Sequence, residues 1–500
     1  MSTKTLNIFK LSILICSIYL TASGCFKDET VNTDPGLKLR FSKDTILFDT
    51  TFTSIGSATK ILKVYNDSKD PVEISKIKIR GIQGIHFTCN ADGLSGNDLN
   101  DIRIESEDSI YVFCKVKVDP DQNVSESPFV LNDYLDFTIN GNTQTVVLNA
   151  WGQNANYITG KENIGGQSVL SCNLGTLTWD DPKPYVIYGS LIIDSCQLVI
   201  PAGTKVYVHG GLVIPDNASP FTDGRIFVGA RGQLTINGSV DNPVKFRGDR
   251  LEKEFAELDG QWGGIVIFNS NRINKFSYLD LRNSNFGIIA DSATTLHIDH
   301  SVIDNVVLNC LIGNHATIRA TNCLFSNSVG YNVVLTYGGN YTFEYCTLPN
   351  VSGQSFAMSL DNYTCDLNEL GICKEGSIRT NKAVLNVKNC ILSGLDEDEI
   401  KFTDAFEGEQ PEQFNYTFTN SALKVDEYQN DPYFQSRNTN CIYLKNSDKL
   451  FSDQNRSMFQ LDSLSVAKDI AAPIGTVIDD ILANVRDLIS PDAGCFEYIP

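Results

Sequence analysis

Histidine is nearly missing from this chain, with five residues in 500. That leaves little material for a histidine-built metal centre or an acid–base relay. Tryptophan is scarcer still, at three residues, which is few for a dedicated sugar-stacking platform. Basic charge is also short: 40 Lys and Arg face 60 Asp and Glu, a net charge of −20. Nucleic acid is therefore not expected as a partner, because its phosphates need clustered cations to displace counterions. Anionic membranes and polyanions are disfavoured in the same way, unless a local basic patch breaks the trend. None of the 14 cysteines stands in a CxxC pair or at zinc-site spacing from a histidine. The chain has no GxSxG elbow, phosphate loop or dinucleotide fingerprint, so no cofactor is implied. What is present is ordinary for a folded protein: 42% hydrophobic and 20% charged residues, which excludes wholesale disorder.

The one long apolar run lies at the N-terminus. Lys4 and Lys10 precede Leu11 to Leu20, a core too short to span a bilayer, which needs about 20 residues. The following Thr21-Ala22-Ser23-Gly24-Cys25 resembles a bacterial lipobox, with small residues for a signal peptidase and a thiol that can take a diacylglycerol. Residues 1–24 are therefore expected to be a signal peptide and Cys25 the lipidation site. Residues 25–36 would be the tether. Phe26-Lys27-Asp28-Glu29 resembles the signal that sends some Gram-negative lipoproteins to the outer leaflet. The expected location is the outer membrane, facing the cell exterior and held by acyl chains alone.

Residues 37–156 read as a β-sandwich. Val72 to Ile79 alternates at period two, and Val112, Cys114, Val116 and Val118 repeat the pattern. Short alternating strands with frequent turns and no helical stretch argue two packed antiparallel sheets. Phe48-Asp49, Ile55-Gly56-Ser57, Lys63 to Asn66 and Pro71 to Ile74 look like the Ig-like modules of surface proteins, which implies a spacer or docking surface. Cys89 and Cys114 are a weak candidate pair in this region.

From about residue 165 to 500 the pattern changes to a repeat. Asn283, Asn305 and Asn327 recur every 22 residues, and Leu281, Ile303 and Phe325 keep the same step. Ile289, Leu311 and Val333 align as well, as does Leu296 with Ile318. About 22 residues per coil with short apolar strands is what a parallel β-helix needs, each coil stacking about 4.8 Å from the last. Ile303 should point inward and Asp304 outward, where it would meet Arg282 as a surface ion pair. The three asparagines suit a left-handed turn, and their amides are expected to bond along the stack. Cys323, Cys346 and Cys390 fall in similar phrases and read as a column of buried thiols. Insertion loops are expected near 353–383 and 395–413. The first carries Cys365 and Cys373, placed to close a disulfide in an oxidising compartment. The second holds Asp396-Glu397-Asp398-Glu399, which lacks calcium-loop spacing and reads as a solvated insertion.

The segments Gln261 to Ile265 (QWGGI), Leu198 to Val206 (LVIPAGTKV) and Pro491 to Tyr498 (PDAGCFEY) resemble right-handed parallel β-helix surface lipoproteins with an N-terminal Ig-like sandwich. In that family the ending carries Ala where Cys495 stands here. The resemblance covers nearly the whole mature chain and implies an all-β fold and a surface location, but no established reaction.

Polysaccharide lyases and hydrolases share the fold, so their chemistry is tested residue by residue. Ile298-Asp299-His300 resembles the IDH of pectate lyases, making Asp299 and His300 the catalytic candidates. No RxPxxR motif accompanies them, and a 22-residue step from Asp299 reaches Ser277 and Thr321 rather than carboxylates. The nearest match to the hydrolase histidine, His209-Gly210-Gly211, has no paired aspartate in register. Tyr331, Tyr337, Tyr341 and Tyr345 crowd into fifteen residues and are the candidates for stacking on sugar rings. The resulting expectation is a lipid-anchored binding or scaffold protein for glycan or a partner surface protein. A polysaccharide lyase or glycoside hydrolase is the alternative.

Overall fold

The computed structural model describes residues 30–500 apart from 53–58, 82–84, 119–128, 160–162, 165–166, 211, 214–220, 223, 252–254, 269–271, 352–354, 369–372 and 454–457. Residues 1–29, which include the expected signal peptide, Cys25 and the first part of the expected tether, lie outside the described residues. The chain is all-β and forms two units, Met1–Gln153 and Asn154–Pro500. Among the described residues no helix is long and apolar enough to cross a membrane.

The first unit packs two five-stranded sheets. One runs in the order Arg40–Phe41, Lys60–Tyr65, Ser109–Val118, Ile85–Ala91, Leu94–Gly96. The other runs Thr45–Phe52, Asn142–Gln153, Phe129–Ile139, Val72–Ile79, Asp98–Ile104. The period-two pattern does what it should: Val72, Ile74, Ile77 and Ile79 are buried, while Glu73, Ser75 and Lys78 are exposed. Phe48, Leu62, Val64, Phe87, Val112 and Phe137 complete a core between the sheets. Cys89 and Cys114 stand directly opposite each other on paired strands but remain free thiols. The Cys89 thiol turns instead to the Gly96 carbonyl, 3.0 Å away. Burial pushes the two thiols up, to about 11 and about 12.

The second unit is a parallel β-helix built on sheets of eleven and eighteen strands. It begins earlier than the repeat suggests, since Asn156–Thr159 already pairs in parallel with Tyr185–Tyr188. Ile303 lies between Leu281 and Phe325 in neighbouring strands, and all three are fully buried. On the opposite side the 22-residue step slips. The column is Ile288, Leu311, Val333, so Leu311 faces Ile288 and not Ile289. One coil there is a residue longer, and turns absorb such differences without disturbing the stacked strands.

Two of the expected insertions are partly coil. Met358–Asp361 pairs with Val333 to Leu335 on one side and with Ile400–Thr403 on the other, so both segments belong to the eighteen-stranded sheet. What loops out of the first is a hairpin, Tyr363–Thr364 against Arg379–Thr380, closed by the Cys365–Cys373 disulfide. In the second, Glu399 is fully buried and accepts hydrogen bonds from Asn350 and the Ala357 amide. It caps a turn and is not a solvated acid. A second disulfide, Cys172–Cys196, spans one coil near the start. Its separation of 24 residues is close to the coil length, which is the signal that could have revealed it.

The coil ends with Asn438–Thr439 and Ile442–Tyr443, well before residue 500. The remaining chain folds back along the flank. Its apolar residues, including Phe451, Phe459, Leu461, Cys495 and Phe496, form a separate core with Tyr345 and Ile391 of the coils.

Candidate functional site

The coils turn through two columns of left-handed residues. One is the expected ladder, Asn283, Asn305 and Asn327, with φ of 63°, 55° and 50°. Their backbones stack, the Asn283 N–H donating to the Asn305 carbonyl at 3.0 Å. The side-chain amides do not bond one another, contrary to expectation. Asn283 donates to the carbonyls of Ala256 and Leu258, Asn305 to that of Glu257, and Asn327 to the Asp304 carboxylate. Asn283 and Asn305 thereby fasten the loop at residues 256–258, whereas Asn327 reaches along the stack to the neighbouring coil.

Asp304 also departs from expectation. It is buried, accepting from Ser326 Oγ and Asn327 Nδ2 at 2.7 Å and pairing with Arg282 at 3.1 Å. Arg282 and Asp304 therefore belong to a half-buried network with Asp280 and Arg247.

The second column escaped the sequence reading. Tyr278, His300, Asn322, Tyr345, Asn389, Asn420 and Asn440 all have φ between 46° and 56°. His300 is one rung of it, and its N–H donates to the Thr321 carbonyl at 3.0 Å. This column grips the returning C-terminal segment. Tyr345 Oη and Asn389 Nδ2 both donate to the Ala472 carbonyl, and Asn322 Nδ2 donates to that of Asp479. Arg486, almost fully buried, answers by donating to Asn322 Oδ1 at 2.7 Å and lying over the Tyr345 ring.

Asp299 and His300 are brought together with a partner that sequence distance had hidden. His300 Nδ1 bonds Asp299 Oδ1 at 2.9 Å and Nε2 meets Asp479 Oδ1 at 3.2 Å, while the ring stacks on Tyr278. Burial pulls the His300 pKa down, but the Asp299 hydrogen bond and the charges of Asp299 and Asp479 outweigh it and raise the pKa. His300 is thus a hydrogen-bonded bridge between coil and C-terminal segment, with Asn322 Nδ2 also 3.0 Å from Nε2. Asp299 also accepts from Ser277 Oγ at 2.7 Å, so the residue one coil back serves as a donor.

A cavity of about 350 Å³ opens beside this bridge, lined by His297, Asp299, Arg319, Thr321, Thr476 and Asp479. His297 was missed because a strand histidine carries no motif of its own. Burial, together with the charges of Arg319 and Lys275, lowers its pKa and favours the neutral ring. Arg319 reaches Glu344 at 2.9 Å with half its side chain exposed. Among the described residues no group of three or more His, Cys, Asp or Glu is placed to hold a metal ion.

The tyrosines do not form one platform. Tyr341 is fully buried, its hydroxyl donating to the carbonyls of Gly313 and Gly338, and Tyr345 is buried under the C-terminal segment. Neither ring can stack on a sugar. Tyr331 and Tyr337 are half-buried, and their ring neighbours are Phe356 and His315 respectively. The aspartate missing beside His209 proves to be Asp249, 2.7 Å away from the next coil, while Gly211 lies outside the described residues. Cys323, Cys346 and Cys390 are buried free thiols, and the Cys346 N–H donates to Cys390 Sγ at 3.2 Å.

Comparison with known proteins gives one domain match: residues 171–292 fit the model of a pectate-lyase-like β-helix domain. No curated protein matches. Among solved structures, the chain is similar to a FixG-related protein from Vibrio parahaemolyticus at 17% identity, covering 20% of this chain and 80% of that one, with a TM-score of 0.15. A family 123 glycoside hydrolase from Clostridium perfringens aligns at 7% identity over 45% of this chain and 62% of its own, with a TM-score of 0.17. The catalytic domain of a GH87 alpha-1,3-glucanase aligns at 9% identity over 71% and 90%, with a TM-score of 0.20. At such TM-scores none of the three bears on ligand or reaction.

Proposed function

We propose that this chain is a lipid-anchored outer-membrane protein, facing the cell exterior, whose β-helix binds polysaccharide or a partner surface protein without cleaving it. The observation that carries the non-enzymatic part is the engagement of both His300 nitrogens by Asp299 and Asp479. The carbohydrate class draws its support from the pectate-lyase-like β-helix domain over residues 171–292. The anchor rests on Thr21 to Cys25, with the sandwich as an Ig-like spacer or docking surface. A glycan array probed with the soluble chain from Lys27 onward tests the binding, and an array without a hit rejects the glycan reading. Cys25→Ala should release the protein from membranes or leave an unprocessed precursor. Unchanged detergent partitioning of that variant rejects the anchor.

One observation favours the second reading, a β-helix lyase or hydrolase. The cavity pairs a neutral imidazole, His297, with a guanidinium, Arg319, the two groups that proton abstraction beside a carboxylate requires. We expect no unsaturated product and no new reducing ends on pectin, alginate or glycosaminoglycans. Turnover that disappears in His297→Ala would replace the binding role with an enzymatic one.

A further inference from the structure

The overall charge of −20 conceals one flank where cations gather. Lys205–His209 and Val244–Gly248 are adjacent parallel strands in which Lys205 stands opposite Lys245 and Tyr207 opposite Arg247. Parallel neighbours lie about 4.8 Å apart, so two like charges sit side by side, an arrangement that destabilises a sheet unless an anion offsets it. The next residue in the lysine column is Asp280, opposite Lys245. Both of its oxygens are already taken, Oδ2 by Arg247 at 2.9 Å and Oδ1 by Arg282 at 2.7 Å. Among the described residues, neither Lys205 nor Lys245 has a carboxylate within ion-pair distance. Arg247 Nε is a buried donor with no acceptor among them. These groups line a cavity of about 300 Å³ together with Tyr207, Arg250 and Asn283.

We propose that this cavity is a subsite for an anionic sugar, a uronate or a sulfated residue within a polysaccharide. The inference rests on the polysaccharide reading above and narrows its ligand. Lys205 and Lys245 would supply two ammonium groups to the carboxylate or sulfate. The small size of the patch argues against nucleic acid. Duplex DNA carries one charge per roughly 1.7 Å, and the acidic remainder of the surface would repel it. A glycan with one charge per sugar meets the cations locally and little repulsion elsewhere.

Affinity electrophoresis of the soluble chain from Lys27, in gels containing polygalacturonate, dextran sulfate or plain dextran, tests the subsite. Retardation is expected in at least one charged polymer and not in dextran, and it should weaken with salt. Polygalacturonate alone would identify the carboxylate, and dextran sulfate alone the sulfate. Lys205→Gln with Lys245→Gln should lower affinity by about tenfold or more, while the urea midpoint of the ligand-free protein does not fall, because the like-charge pair is removed. Retardation that ignores the double substitution, or that fails in both charged gels, overturns the subsite. Binding of neutral glycans on the array in that event would leave the wider polysaccharide reading standing, whereas no glycan bound at all would remove both.

Discussion

The sandwich and the β-helix are both all-β, yet they treat polar groups in opposite ways. Among the described residues of the sandwich the buried polar side chains are Asn66 and Asp133. The β-helix buries Asp304, Glu344, Glu399, Lys424, Asp480, Arg486 and Asp492, besides many Asn and Ser. The difference follows from where each fold turns. A sandwich turns at its ends, in water, where freed backbone groups are solvated. A β-helix turns at every coil, and its neighbours and returning tail cover those turns, so side chains must replace the water. A polar residue in this fold therefore marks a covered turn at least as often as a site.

Five measurements would break or sharpen that contrast, taken by following the unfolding of each unit separately. The largest effect is expected from Ile303→Asp, which places a charge between Leu281 and Phe325; it should cost more than about 4 kcal/mol and abolish the β-helix transition. Folding of this variant at normal yield would mean the 22-residue register is wrong. Next is Arg486→Ala, which strips the partner from Glu497 and the donors from Asn322 Oδ1 and Gly494 O. A loss of about 3–5 kcal/mol is expected in urea unfolding, with the C-terminal segment becoming protease-sensitive first.

Asp304→Asn should cost about 1–3 kcal/mol, because the buried carboxylate accepts from Ser326 and Asn327 and faces Arg282. A negligible change would return Asp304 to the surface. The fourth effect is pH-dependent. The folded pKa of His300 is raised above its ordinary value of 6.5, so its contribution is complete below 6.5 and is lost as pH rises through the folded value. The β-helix midpoint should fall across that window, and His300→Asn, matching Asn322 in the same column, should flatten the dependence. The smallest effect belongs to the sandwich. Asp67→Asn removes an exposed pair with Arg40, and no measurable shift of its midpoint is expected.

Much of the fold was legible because apolar patterning is local and repeats faithfully. Val72 to Ile79 announces its buried face residue by residue, and Leu281, Ile303 and Phe325 announce a column by recurring at one step. The site was less legible. Asp299 and His300 stand adjacent in sequence and could be paired by eye, but Asp479 reaches His300 across 179 residues. Tyr341 and Tyr345 looked like a stacking surface because composition reports crowding and not direction. The strand turns the Tyr341 ring into the coil, and a left-handed turn places the Tyr345 ring under the tail.

The sequence alone therefore determined the two architectures, the coil length to about a residue, the left-handed asparagine turns and the Cys365–Cys373 closure, all of which depend on residues near one another or on a nearly constant repeat. The tertiary structure alone decided which polar side chains end up covered. The return of the C-terminal segment along the second turn column buries Arg486 and makes His300 a bridge. The stacking of Lys205 on Lys245 across 40 residues puts two cations together in an acidic chain. Burial and electrostatics depend on distance in space, and in a β-helix that distance is set by coil stacking and the path of the tail, neither of which leaves a local mark on the sequence.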